Sequence, residues 1–143
     1  MGRTMKDADV RAFMGSGSRT GKLATVKSDG SPHVVPIWFD FDTDGAVVFL
    51  THEDSVKARN MRRDPRVSLL TDDEEMPFSW AKIDGTVTFS DDPGELLFWA
   101  TKTCRRYVGD ELAEAYGRRN GVPGELVVRL EPISLRGQWG VAE

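Results

Sequence analysis

Between Thr51 and Arg66 the chain carries hydroxyls and then cations, a pattern whose natural partner is an anion. Thr51 and Ser55 lie just ahead of Lys57, and from Lys57 to Arg66 there are five cations (Lys57, Arg59, Arg62, Arg63, Arg66) against one anion, Asp64. If residues 54–64 form a helix, Lys57 and Arg59 fall in its first turns, where unpaired main-chain N–H groups already favour negative charge. A strand, a hydroxyl-bearing turn and a helix opening with lysine make a phosphate cradle, each charge-assisted hydrogen bond contributing ~1.5–3 kcal/mol. The same residues also make a solvated cationic helix face, since Arg62 and Arg63 lie a turn later and would point elsewhere. Residue types and spacing leave both readings open.

Other reactive side chains carry less. His33 and His52 are too few for a metal site and have no Cys, Asp or Glu at a repeating ligand spacing; they read as polar residues at strand ends. Cys104 stands between Thr103 and Arg105, where neighbouring cations could lower its pKa. Without a partnered base it reads as a spectator on a helix. As the single cysteine it excludes an internal disulfide and fits a reducing cytoplasm. Of the tryptophans Trp38, Trp80, Trp99 and Trp139, Trp99 belongs to a helix core. Trp38 lies opposite the Val35/Ile37/Phe39 stripe, so one of the two faces must be covered by a helix, a second subunit or a planar ligand. Asp72, Asp73, Glu74 and Glu75 read as a solvated loop. Gly-x-Ser-x-Gly, phosphate-loop and dinucleotide glycine patterns are absent, so nucleophilic catalysis has no support.

The elements that must position these residues are mostly strands. The pairs Asp29-Gly30 and Asp44-Gly45 punctuate β-rich runs near 22–28, 32–41 and 46–51, expected as an antiparallel meander. In the second run Val35, Ile37, Phe39 and Phe41 share one face and Val34, Pro36 and Trp38 the other; Pro36 cannot donate to a ladder and marks an edge or interruption. A helix is expected over 8–14, capped by Asp7. Another spans 54–64, capped by Asp54 or Ser55, stopped by Pro65, with Val56, Ala58 and Met61 toward the core. Strands follow near 66–71 and 79–90. Pro93 opens a helix carrying Leu96, Leu97, Trp99, Ala100 and Val108; Gly109 divides it from a second over 111–119, closed by Gly121. The segments ELVVRLEPI and SLRGQWGV supply the last strands. Six or seven mostly antiparallel strands with a few short helices, mainly β with α+β character, close into a small barrel.

A chain of 143 residues with net charge −4 fits one domain over 1–143 and can bury a core unaided. The acidic balance argues against a general nucleic-acid binder, no apolar run is long enough for a membrane span, and residues 1–11 lack the apolar stretch of a signal peptide. A cytoplasmic protein with no nucleic-acid or membrane partner is the expectation.

Three segments, GKLATVKSDGSPHVVPIWFDFD, FLTHEDSVKARNMRRDPRVSLL and WAKIDGTVTF, occur in this order. Together they closely resemble the pyridoxamine 5′-phosphate oxidase-like, split-barrel flavin and deazaflavin proteins. Among these the chain looks most like the short actinobacterial branch that uses coenzyme F420. The resemblance implies a homodimer of split β-barrels with cofactor sites in the grooves between subunits. Matched by segment, Val35, Pro36, Ile37 and Trp38 would lie against the tricyclic ring. Thr51, Ser55, Lys57 and Asn60 would hold the ribityl phosphate, Lys57 giving the main charge neutralisation. Trp80 and Ala81 fall where the partner subunit contributes, Arg105 and Arg106 are candidates for an anionic tail or substrate, and Trp139 for capping the ring.

The implied reaction is hydride transfer from reduced deazaflavin to an electron-poor double bond of a small conjugated substrate such as an enone, quinone or tetrapyrrole. A proton would come from solvent or an acid; His33, His52 and Arg106 are available, and no catalytic residue is singled out. The basic and tail motifs that serve FMN phosphate and pyridoxal substrate in the oxidase itself have no counterpart, which argues against that activity. FMN shares the phosphoribityl core, so an FMN-dependent oxidoreductase is one alternative. Another is a non-catalytic carrier of F420, FMN or haem. Arg59, Arg62, Arg105 and Arg106, available to an oligoglutamate tail, favour F420.

Overall fold

Apolar–polar alternation in the sequence becomes alternate burial along β2 (Gly21–Val26), β6 (Arg66–Asp72) and β7 (Trp80–Ser90), whose inward side chains include Leu23, Leu69, Ala81 and Ile83. The structure, a computed structural model, describes residues 2–143. The remaining elements are β1 (Arg3–Thr4), α1 (Asp7–Gly15), β3 (Pro32–Ile37), β4 (Asp40–Phe41), β5 (Val47–His52), α2 (Val56–Arg63), α3 (Pro93–Val108), α4 (Asp110–Asn120) and β8 (Glu125–Trp139). Every pairing is antiparallel, in the order β3-β2-β6-β7-β8-β5-β4 with β1 on the end of β8. The sheet curls into a half-barrel. Its concave side and α1 enclose the main core, including Met14, Leu23, Phe39, Phe49, Met61, Leu69, Ile83 and Leu130.

Several expectations are corrected. The run 32–41 is two strands, because the chain leaves the ladder at Trp38 and Phe39; β3 is an edge strand carrying Pro32 and Pro36. Both pairings of the expected meander are present, β2 with β3 and β4 with β5, but the break at Trp38 and Phe39 puts them at opposite ends of the sheet, where β5 pairs on with β8. ELVVRLEPI and SLRGQWGV are a single long strand, β8, in which Pro132 sits at a bulge. Asp84 pairs with Ser134 and Gly85 with Pro132, so Ile133 is the extra residue and points outward. A Cβ on Gly85 would collide with the Glu131 carbonyl, so only glycine lets β8 approach there. These changes, with the short β1, make eight strands among the described residues rather than six or seven.

The helix boundaries follow local chemistry. Lys6, not Asp7, occupies the cap of α1, with its N–H donating to Asp9 Oδ2 at 3.0 Å. Ser55 caps α2, accepting from the Ala58 N–H at 3.1 Å. Ala58 and Met61 face the core, but Val56 is exposed and Asn60 is buried in its place. Asp92 caps α3 ahead of Pro93, and Gly109, at φ 88°, turns the chain between α3 and α4. Among the described residues no helix is long and apolar enough to cross a membrane, and no His/Cys/Asp/Glu group could hold a metal ion.

Asp64 ends α2 and is bracketed by Arg66, whose Nη2 and Nε donate to it at 2.7 and 2.9 Å. These bonds hold its carboxyl down to about 2, against an ordinary 3.8. A depressed carboxylate stabilises the fold above its unfolded value and loses that contribution as pH falls through the folded one. Urea unfolding should therefore show wild type more stable than Asp64→Asn at pH 5, with the gap closing between pH 3.8 and about 2.

Candidate functional site

Lys57 sits where the two ends of the curled sheet meet the helices. Two adjoining cavities of about 210 and 310 Å³ share Leu50, Lys57 and Asn120 and form one groove. Its inner end is walled by Pro36, Ile37 and Trp38 at the end of β3 and by Ala100, Thr103 and Cys104 on α3. Its outer end is lined by Thr51 and His52 from β5, Ser55 ahead of α2 and Glu125 at the start of β8.

Each wall has a local cause. Phe39 lies outside any strand, so α3 satisfies its main chain: the Phe39 N–H donates to Tyr107 Oη at 3.4 Å, and Arg106 Nη1 donates to the Phe39 carbonyl at 2.6 Å. Tyr107 donates in turn to the Arg19 carbonyl at 2.8 Å and stacks on Trp38, with ring centroids 5.1 Å apart and planes 4° from parallel. The indole is thereby held flat against α3 at the groove. At the outer end Thr51 Oγ1 and Ser55 Oγ are 2.8 Å apart, joining β5 to the cap of α2.

The electrostatics converge on Lys57. It is half-buried in the first turn of α2 and makes no hydrogen bond or ion pair among the described residues. Burial lowers its pKa below the usual lysine value, and the nearby Glu125 charge opposes that shift. Burial likewise raises the Glu125 carboxyl, opposed by His52 and Lys57. His52 Nδ1 accepts from the Asp54 N–H at 3.1 Å, which places the neutral ring's proton on Nε2. A half-buried ammonium beside a helix N-terminus and two hydroxyls can neutralise a phosphate. A depression of about 470 Å³ on the outer face of β2, β6 and β7 lacks such a group: its Arg66 is paired with Asp64, and its Asp84 with Ser68 and Lys82.

The groove collects Pro36, Ile37, Trp38, Thr51, Ser55 and Lys57. Other candidates lie elsewhere. Val35 packs against the main core. Asn60 ties α2 to β2 and to its own helix, donating to Thr25 Oγ1 and accepting from Arg63, both at 3.0 Å. Ala81 is fully buried in the core, while Trp80 lines a separate cleft of about 710 Å³ with Leu70, Phe78 and Val141. Trp139 is edge-on to Phe13 at 5.7 Å, and Arg105 pairs with Asp110 at 3.3 Å. Arg106 is held by three main-chain carbonyls: Phe39 and Met14 at 2.6 Å and Gly17 at 3.0 Å. Cys104 is corrected in sign, since burial raises its thiol pKa and outweighs the Asn120 hydrogen bond and the Arg119 charge that oppose it.

Sequence reasoning missed the α3–α4 wall and Glu125. Leu96, Trp99, Ala100 and Thr103 recur at helical spacing and are all buried, so the periodicity of α3 could have put Ala100 and Thr103 on its inner face. Nothing local announces Asn120 or Glu125, which arrive from other elements.

Comparison with known proteins places this geometry. Residues 7–138 match the family model described as Pyridoxamine 5′-phosphate oxidase. A stretch of 56 residues is 39% identical to the 5a,11a-dehydrotetracycline/5a,11a-dehydrooxytetracycline reductase of Streptomyces rimosus, covering 37% of this chain and 39% of that curated relative. The chain thus aligns with well under half the length of that reductase. A conserved hypothetical protein of Mycobacterium tuberculosis superimposes with a TM-score of 0.81 at 31% identity, covering 96% of this chain and 86% of that one. A solved F420 reductase shares the fold at a TM-score of 0.70 and 22% identity, covering 92% of this chain and 96% of its own.

Arg106 generates a prediction of its own. Replacing it with Met strips the partners from three carbonyls and should cost about 3 kcal/mol by urea unfolding. Arg106→Lys should recover little, because one ammonium cannot span the positions a planar guanidinium reaches.

Proposed function

This chain belongs to the pyridoxamine 5′-phosphate oxidase family, an oxidoreductase family, and on that premise we propose that it is an F420-dependent reductase of small conjugated molecules. The observation that carries the reading is Lys57, a half-buried cation without an ion-pair partner among the described residues, which lines both cavities of the groove and shares the outer one with the Thr51 and Ser55 hydroxyls. That donor set fits the phosphate of a phosphoribityl cofactor, and the inner end, bounded by Trp38, Ile37, Leu50 and Ala100, fits a flat ring. The names of the F420 reductase sharing this fold and of the dehydrotetracycline reductase matched over part of the chain support the same direction.

In this reading Lys57 neutralises the phosphate, with the Thr51 and Ser55 hydroxyls beside it. Trp38, braced by Tyr107, and Ile37 orient the ring and exclude water from it. When bound, F420 supplies hydride chemistry for an electron-poor double bond, as in an enone, quinone or tetrapyrrole. Glu125 beside Lys57 restrains how much further negative charge the groove accepts. Trp80 shares neither cavity with Lys57, so its contribution would come from a second copy of the chain, as a homodimer, whereas Ala81, fully buried in the core, has no side-chain surface to offer one.

Purified protein titrated with F420 and, in parallel, FMN, followed by tryptophan fluorescence, tests the reading. Wild type should prefer F420, and Lys57→Ala should weaken binding by about tenfold or more, the loss of one charge-assisted contact. Preference for FMN would move the chemistry to flavin, and unchanged affinity in Lys57→Ala would move the cradle elsewhere. Reduction of an enone panel by reduced F420 separates an enzyme from a carrier.

A further inference from the structure

Lys57 shares the outer cavity with an opposite charge. Glu125, half-buried at the start of β8, lines the same space of about 310 Å³, and among the described residues no other carboxylate, lysine or arginine does. The strand pairing puts it there: His52 of β5 lies opposite Glu125, and the Glu53 N–H donates to the Gly124 carbonyl at 2.8 Å. The carboxylate is close enough to His52 and Lys57 for their charges to act on it. The other cations of α2 are engaged elsewhere. Arg59 donates to the Asp54 carbonyl at 2.8 Å, Arg63 to the Val26 carbonyl at 3.1 Å and to Asn60, and Arg62 lies over the Phe89 ring.

We propose that Glu125 makes this cradle select a phosphodiester, with its single negative charge, over a phosphomonoester with two. The inference deepens the F420 reading and rests on it through the phosphate at Lys57. A first negative charge is matched by Lys57 and the Thr51 and Ser55 hydroxyls. A second is drawn by the same lysine but repelled by Glu125, so the two effects offset while the cost of desolvating it remains. F420 carries its phosphate as a diester, between the ribityl chain and an acidic tail, whereas FMN ends in a monoester. Discrimination therefore sits at the phosphate, whichever end of the ring enters the inner cavity. Glu125 acts as the repulsive element that turns the competitor away.

Four ligands separate charge from ring: the F420 ring and the flavin ring, each on a ribityl phosphate as the monoester and as its methyl diester. Fluorescence titrations at about pH 8 keep the monoesters close to two charges, since their second ionisation lies at about 6. Wild type should bind the diester about fivefold or more tightly than the monoester on whichever ring it takes. Glu125→Gln, shown to be folded by thermal melts, should strengthen the monoester about fivefold beyond any gain in the diester, erasing the preference. Should that variant fail to fold, Glu125→Ala makes the same comparison. A wild type that binds both esters alike, or prefers the monoester, overturns the inference. So does a Glu125→Gln variant whose affinities for the two esters rise or fall together. The expected pattern on the flavin pair alone supports the inference and overturns the F420 reading; binding of none of the four overturns both.

Discussion

Phe39 is fully buried yet belongs to no strand, so its main-chain polar groups must be satisfied where no ladder runs. Both partners come from α3: the Tyr107 hydroxyl for the N–H and the Arg106 guanidinium for the carbonyl. Much follows from that requirement. It fixes α3 across the gap between β3 and β4, and Arg106 carries the tie on to α1 through the Met14 carbonyl. It places the Tyr107 ring under Trp38. With α3 seated there, Ala100 and Thr103 become the inner wall of a groove whose floor reaches Lys57.

Local features of the chain were legible where a residue's neighbours decide its conformation. Pro93 and Gly109 mark α3 and α4 through a missing N–H and a φ of 88°, while Gly121 ends α4 at φ −85°, where the Leu96 carbonyl leaves no room for a Cβ. Strand faces were legible for the same reason: Val35, Ile37 and Phe39 alternate with exposed Val34, Pro36 and Trp38. Pairing order was not. Nothing near residues 46–51 states that they pair with β8, whose partners lie more than seventy positions away. ELVVRLEPI and SLRGQWGV read as separate strands, but a bulge opposite Gly85 lets one strand run on past Pro132.

The site divides along the same line. Most of its outer half is one contiguous segment, Thr51 to Lys57, and was readable as strand, hydroxyl turn and cationic helix start; Glu125 of β8 joins it from afar. Its inner half is assembled from the end of β3, α3 and α4. Arg106 shows the limit most sharply: a cation in an arginine pair looks like an anion ligand in sequence, whereas here it serves main-chain carbonyls. Asn60 is similar, a helix residue expected at the phosphate and found bridging to Thr25.

The prolines of β3 have an effect beyond ending the strand. Pro32 pairs with Val26 and Pro36 with Lys22, so at those positions the inward ladder bonds come from the alternate residues. The outer rim of the sheet is left with Val34 as its one donor in that row. At the opposite rim β4 is two residues long. Neither margin can template a further strand, which guards the open half-barrel against growth by strand addition. Any association of this chain must use a face of the sheet or its helices, where side chains, rather than the main chain, decide what is allowed to dock.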